Sequence, residues 1–140
     1  MEIIPAESLV ARTQALRAGK ARLVQISATR LADHYELTYS FEVGHTLTNL
    51  RLLVTASDPR VPSISSVYWC AFLYENEIHD LFKVQVEGMA VDFKGNLYKA
   101  TVPYAFGAPP AAKKPPAAAA PPALATASAE ATASSPAPAH

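Results

Sequence analysis

The sequence predicts an α+β fold of two layers, with helices packed on a mainly antiparallel sheet that contains a three-stranded meander, plus a disordered C-terminal tail. Three observations predict this fold. Residues 34–43, HYELTYSFEV, alternate apolar and polar side chains, which is typical of a strand with one buried face. Two further apolar segments flank this strand across short connections. Apolar side chains also recur at helical spacing in two other segments.

The first element along the chain is a predicted helix over residues 6–18, AESLVARTQALRA, with Pro5 before it and Gly19 placed to end it. One side of this helix carries Leu9, Val10, Thr13, Leu16 and Arg17. Strands are predicted next over residues 21–31, 34–43 and 46–56. Leu47 is out of step with the apolar face of the third strand, which predicts a bulge near Thr48 or Asn49.

A second helix is predicted within the segment that follows two closely spaced prolines. Its apolar stripe consists of Val67, Ala71, Tyr74, Ile78 and Leu81, which recur at spacings of three and four residues. We expect this stripe to lie against the apolar face of the sheet. Residues 83–88, KVQVEG, and 96–104, NLYKATVPY, are predicted to be short extended segments around a loop, VDFKGN.

Composition divides the chain into a globular domain, residues 1–106, and an Ala/Pro-rich tail, residues 107–140. The tail holds 15 alanines and eight of the 12 prolines, with no aromatic residue, so it buries too little apolar surface to offset its ordering entropy. The domain carries 10 Lys and Arg against 11 Asp and Glu, which gives no basic patch for nucleic acid. Its apolar runs are too short to insert into a membrane, and its N-terminus lacks a signal pattern, so we expect a cytoplasmic chain.

The second helix ends in a dense polar cluster with Glu75, Glu77, His79 and Asp80, for which three interpretations compete. The first is an ordinary solvated helix face. The second is a metal or catalytic site built on Glu75 and His79, which lie four residues apart and would need a third ligand from elsewhere. The third is a protein interface, because Trp69, Phe72 and Leu73 lie at angles that the apolar stripe does not cover.

Cys70 is the one cysteine of the chain, so an internal disulfide, a four-cysteine zinc site and an iron–sulfur cluster are excluded. Its acidic neighbours disfavour a reactive thiolate, and we expect a small buried side chain. Trp69 is predicted either to cover the core or to lie at the rim of a binding surface.

The segment around this helix resembles the 30 kDa-type subunit family of respiratory NADH-quinone oxidoreductase. It resembles still more the short counterpart in energy-converting, membrane-bound nickel–iron hydrogenases. The matching residues are Trp69, Glu75, Glu77, Asp80, Leu81, Phe82, Val84, Glu87 and Gly88, within a resemblance that spans roughly residues 5–104. The chain departs from the long respiratory subunits at Asn76, where they carry a basic residue, at Lys83 in place of glycine, and at Met89 in place of histidine.

The resemblance implies a non-catalytic structural subunit that holds no cofactor and no metal. Its partners would be the large catalytic subunit and the small iron–sulfur subunit of the same complex, at the cytoplasmic side of the inner membrane. We expect Trp69 and Phe82 to act as apolar anchors of the interface, and Glu75, Glu77 and Asp80 to pair with basic residues or backbone amides. Two alternatives stay open: a free-standing assembly or binding module for the large subunit, and a small metal-dependent enzyme.

Overall fold

The computed structural model describes residues 1–99 and 101–108. The predicted disordered tail lies outside the described residues, apart from its first two positions, Gly107 and Ala108. The order of elements is β1 (Glu2–Ile3), a 3-10 turn (Ala6–Ser8), α1 (Leu9–Ala18), β2 (Arg22–Arg30), β3 (His34–Val43), β4 (Thr46–Thr55), β5 (Arg60–Pro62), α2 (Ala71–Phe82) and β6 (Gln85–Glu87). The predicted α+β class and the β2–β3–β4 meander are confirmed.

The main sheet has four strands in the order β1-β4-β3-β2. The meander strands pair antiparallel, whereas the short β1 pairs parallel with β4, a strand that the sequence did not predict. A second, two-stranded sheet joins β5 and β6 in parallel. Strand β6 lies within the predicted extended segment 83–88, whereas β5 and its pairing with β6 were not predicted. Strands of two or three residues are too short for a period-two pattern to be recognised.

Two details of the strand prediction are wrong. The β3–β4 pairing runs in continuous register from His34↔Thr55 to Val43↔Thr46, so the predicted bulge near Thr48 or Asn49 is absent. The one register shift instead lies in β2, between Leu23 and Gln25. Leu47 is out of step because it stands on the outer face of the sheet, where it is 63% exposed. The predicted extended segment 96–104 contains no strand in its described residues.

The core lies on the inner face of the meander. The alternation in β3 is confirmed, because its odd-numbered residues from Tyr35 to Phe41 are buried and the residues between them are not. The buried side chains that cover this face come from α1, the 61–68 segment and α2: Leu9, Val61, Ile64, Tyr68, Ala71 and Ile78. The end of α1 at Gly19 is as predicted, with the Gly19 N–H bonded to the Ala15 carbonyl at 3.1 Å.

Candidate functional site: helix α2 and the segments packed on it

Helix α2 is positioned by its apolar stripe and by a sharp end. Ala71 and Ile78 are buried against the sheet, and the Tyr74 hydroxyl donates to the Val24 carbonyl of β2 at 3.3 Å. The helix ends at Lys83, whose φ of 65° lies in the left-handed region and whose N–H bonds to the His79 carbonyl at 3.0 Å. Because glycine is favoured in that region, the glycine that the resembling subunits carry at this position has a direct structural reason.

Glu75 faces into the protein. Its side chain is 1% exposed, and it accepts hydrogen bonds from the Ser63 hydroxyl at 2.6 Å and from the Ile64 N–H at 2.7 Å. Burial raises the pKa of this carboxyl, and the two hydrogen bonds oppose the rise. Burial, and after it the nearby Glu75 charge, also raise the pKa of Tyr39. Through its hydrogen bonds to Ser63 and Ile64, Glu75 fixes the irregular segment that runs between β5 and α2.

Asn76 is fully buried and holds a second loop. Its amide nitrogen donates to the carbonyls of Phe72 at 2.7 Å and Val91 at 2.8 Å. Its amide oxygen accepts from the Phe93 N–H at 2.8 Å. An asparagine in a helix interior is unfavourable by propensity, and here its three hydrogen bonds supply the compensation. Asn76 thus fixes the backbone on which the Phe93 side chain is presented.

Asp80 holds the segment at Leu97 and Tyr98 in place. One carboxylate oxygen accepts from the backbone N–H groups of Leu97 at 2.8 Å and Tyr98 at 3.1 Å. The other oxygen is buried and has no hydrogen-bond partner among the described residues. The predicted interface residues Glu75 and Asp80 therefore do meet backbone amides, but these amides belong to the same chain.

Glu77 and His79 do not join this buried set. Glu77 is half-buried, and its carboxylate makes no hydrogen bond or ion pair with any described residue. The His79 ring nitrogen Nδ1 lies 3.0 Å from the Val84 carbonyl oxygen. Within residues 1–99 and 101–108, no three His, Cys, Asp or Glu side chains are grouped as a metal site requires. The contacts of Glu75 and His79 thus give the metal interpretation no support.

The start of α2 presents an apolar surface, here called the aromatic patch, made of Trp69, Phe72, Leu73 and Phe93. Trp69 is 63% exposed and Leu73 is 49% exposed. The ring centroid of Phe72 lies 5.5 Å from that of Trp69 and 6.3 Å from that of Phe93, so the three rings form one continuous row. The Trp69 side chain is therefore largely exposed and does not cover the core.

Cys70 lies beside this patch and is exposed, so the prediction of a buried thiol is wrong. Cys70 precedes the first turn of α2 and lies outside the stripe that packs on the sheet. Phe82 lies at the opposite end of the helix, with its ring 5.6 Å from Phe106 and 6.4 Å from Tyr35. It is half-buried and separated from the aromatic patch by the length of α2.

Sequence reasoning missed three contributors to this site: Ser63, Asn76 and Phe93. Ser63 and Phe93 lie in irregular segments, where no periodicity reveals which side chain faces the helix. Asn76 did carry a usable signal, because a poor helix former in a helix interior indicates a hydrogen-bonding role for its side chain.

No helix among the described residues combines the length and the apolar character needed to cross a membrane.

Comparisons with known proteins relate this arrangement to respiratory complexes. The fold is similar to a chain of the archaeal membrane-bound sulfane sulfur reductase, a respiratory membrane complex, with a TM-score of 0.60 and 22% identity over 66% of this chain and 58% of that chain. It is also similar to a trypsin-resistant fragment of Nqo5, with a TM-score of 0.57 and 20% identity over 64% of this chain and 79% of that fragment.

The chain thus spans less than two thirds of the sulfane sulfur reductase chain that it matches. No curated protein sequence matches it. The family model for the respiratory-chain NADH dehydrogenase 30 kDa subunit matches residues 3–119, which is most of the chain. The chain therefore belongs to the 30 kDa subunit family of respiratory-chain NADH dehydrogenase.

Proposed function

We propose that this chain is a non-catalytic structural subunit of a membrane-associated respiratory complex of the energy-converting hydrogenase type. It packs against the large catalytic subunit, near the small iron–sulfur subunit, and supports electron transfer there by bracing the catalytic subunit. Membership in the 30 kDa subunit family supports a place in a complex I-like assembly. The departures at Asn76, Lys83 and Met89 from the long respiratory subunits favour the hydrogenase branch.

The observation that carries this proposal is the aromatic patch. A tryptophan, a leucine and a phenylalanine lie exposed side by side, although this chain has a well-filled core elsewhere. Contiguous exposed apolar surface is uncommon on monomers, and tryptophan is enriched among the residues that dominate binding energy. The patch therefore has the composition of a surface that another protein covers.

Buried polar side chains of α2 hold Phe93 of this patch and two neighbouring segments in place. Asn76 holds the backbone under Phe93, and Asp80 and Glu75 hold the two neighbouring segments. A surface that is ordered before binding loses less conformational entropy on association. In this account Glu75 and Asp80 position the interface, and Trp69 contacts the partner.

The test is co-purification with an affinity-tagged chain from native membranes. We expect the parent chain to recover a large subunit with paired cysteine motifs for nickel and a small iron–sulfur subunit, with hydrogen-dependent dye reduction in the eluate. Recovery of a quinone-reducing complex instead would contradict the hydrogenase branch. Recovery of the chain as a free cytosolic monomer would favour the assembly-module alternative.

Matched variants locate the interface in the same experiment. Leu73→Ser removes a side chain of the patch that is 49% exposed, and Leu53→Ser removes one on the outer face of β4 that is 50% exposed. We expect both isolated variants to unfold within about 0.5 kcal/mol of the parent, because both positions are surface sites. Leu73→Ser combined with Trp69→Ser should lower recovery of the large subunit about tenfold or more, and Leu53→Ser should not. Equal recovery with both variants would place the interface elsewhere.

A further inference from the structure

Strand β2 is an edge of the main sheet. It pairs with β3 on one side, and no described strand pairs with its other side. Such an edge presents unpaired N–H and C=O groups. The hydrogen bond from the Tyr74 hydroxyl to the Val24 carbonyl shows that this free edge faces α2.

A groove runs between this edge and α2. It consists of two adjoining cavities of about 430 and 320 Å³, which share Ala28, Phe82 and Phe106 as lining residues. The smaller cavity is lined by four consecutive residues of β2, Gln25–Ala28. Because successive side chains of a strand point to opposite faces, a cavity that contacts four in a row lies along the backbone edge.

The helix wall of the groove carries one charge and one apolar pocket. Glu77 lines the smaller cavity and makes no hydrogen bond or ion pair with the described residues. Phe82 lines both cavities with Phe106, whose N–H bonds to the Leu81 carbonyl at 2.8 Å. Phe82 lies five positions after Glu77, which is a rise of about 7.5 Å along the helix axis and a rotation of about 140°. Both residues nevertheless line the smaller cavity.

We propose that this β2–α2 groove binds an extended segment of a partner subunit by strand addition to β2. The segment would place a basic side chain against Glu77 and an apolar side chain between Phe82 and Phe106. The charge of Glu77 selects the basic residue, and the unpaired β2 backbone selects an extended conformation. The chain's own tail fits this role less well, because its repeated prolines lack the N–H that a sheet ladder needs.

The β2–α2 groove is a second surface, at the opposite end of α2 from Trp69. Peptide binding to this groove is tested on the isolated full chain, so its failure is distinguishable from failure of the co-purification experiment. The probe is a blocked heptapeptide, Thr-Leu-Thr-Lys-Thr-Leu-Thr, whose leucine and lysine side chains share one face in either orientation. Titration of the isotope-labelled chain is followed by NMR chemical shifts. We expect shifts confined to Gln25–Arg30 and the groove side of α2.

Two N-methylated versions of the peptide provide the matched control. Methyl groups on alternate amides remove either the donors that face β2 or the donors that face solvent. Strand addition predicts that one version binds about tenfold more weakly and that the other binds like the parent peptide. Glu77→Gln should weaken the parent peptide severalfold, since it removes the charge opposite lysine.

Several results would overturn the proposal. Equal binding of both methylated peptides would exclude backbone pairing, and shifts at the aromatic patch would place the peptide elsewhere. Absence of any shift would show that the groove does not accept a strand. Shifts that grow with protein concentration without peptide would assign the groove to a second copy of the chain. Tighter peptide binding after deletion of residues 109–140 would assign it to the tail.

Discussion

The buried polar residues of α2 and the apolar residues at its start use their side chains in opposite ways. Glu75, Asn76 and Asp80 are buried and bonded to the backbone of three irregular segments. Leu73, which lies on the same helix face as Asn76 and Asp80, and Trp69, just before the helix, are exposed. Amphipathic patterning leads to the reverse expectation, with charges outward and large apolar groups inward. The difference teaches that carboxylates and amides on a helix can serve as hydrogen-bond partners for neighbouring loops, which leaves apolar groups available for a partner.

The largest expected effect on stability comes from substitution of Asn76. Asn76→Asp keeps the shape of the side chain but places an acceptor against the carbonyls of Phe72 and Val91. We expect the free energy of unfolding to fall by about 3 to 4 kcal/mol, because the buried donor is lost and a charge is buried. Denaturant unfolding measures this change. Asn96→Asp is the matched control, since Asn96 is exposed and donates two longer bonds of 3.2 Å. Comparable losses at both positions would contradict a special role for Asn76.

A somewhat smaller effect separates two acids on the same helix. Glu75→Ala leaves the Ile64 N–H without its acceptor, and we expect it to lower the free energy of unfolding by about 2 to 3 kcal/mol. Glu77→Ala removes a carboxylate without intramolecular partners among the described residues and should change stability by no more than about 0.5 kcal/mol. Urea unfolding of the two variants compares them directly. If Glu77→Ala were the more damaging change, the assignment of Glu75 as the acid that holds a neighbouring segment would be wrong.

The smallest expected effect is a dependence of the free energy of unfolding on pH. Burial raises the pKa of Glu75 in the folded state above its ordinary value of 4.5. Protonation therefore favours the folded state, so the stability contribution is fully present below the unfolded pKa and is lost as pH rises through the folded pKa. We expect the free energy of unfolding of the parent chain to fall as the pH rises from 4.5 towards neutrality.

Glu75→Gln tests the assignment of this pH dependence. The amide can still accept from the Ile64 N–H and can donate to the Ser63 hydroxyl oxygen, so the variant should fold. Its free energy of unfolding should lack the part of the pH dependence that Glu75 supplies. An identical fall in the variant would assign the dependence to other groups.

The fold was predictable where periodicity is long. The ten-residue alternation of β3 and the stripe of α2 predicted both elements and their contact, because each pattern repeats several times. Strands β1 and β5 were not predicted because two or three residues carry no period, whereas β6 lies within the predicted extended segment 83–88. The site was predictable only in part. The sequence identified the segment that contains it, but not whether the side chain of each acid faces the protein interior or the solvent. The orientation of Glu75 depends on where Ser63 and Ile64 lie, and that position is set by tertiary packing.

We propose that a partner covers the aromatic patch, whose backbone Asn76 fixes at Phe72 and Phe93. Cys70, exposed beside Trp69, is the one cysteine of the chain and reports on this surface directly. Maleimide labelling is measured on the free chain and on the intact membrane complex, with the modified peptide of this chain quantified by mass spectrometry. A Cys70→Ser, Leu53→Cys variant reports on the outer face of β4. We expect rapid labelling of Cys70 in the free chain and protection of Cys70 in the complex. The cysteine of the Leu53→Cys variant should be labelled in both states. Equal labelling of Cys70 in both states would contradict the proposal that a partner covers the aromatic patch.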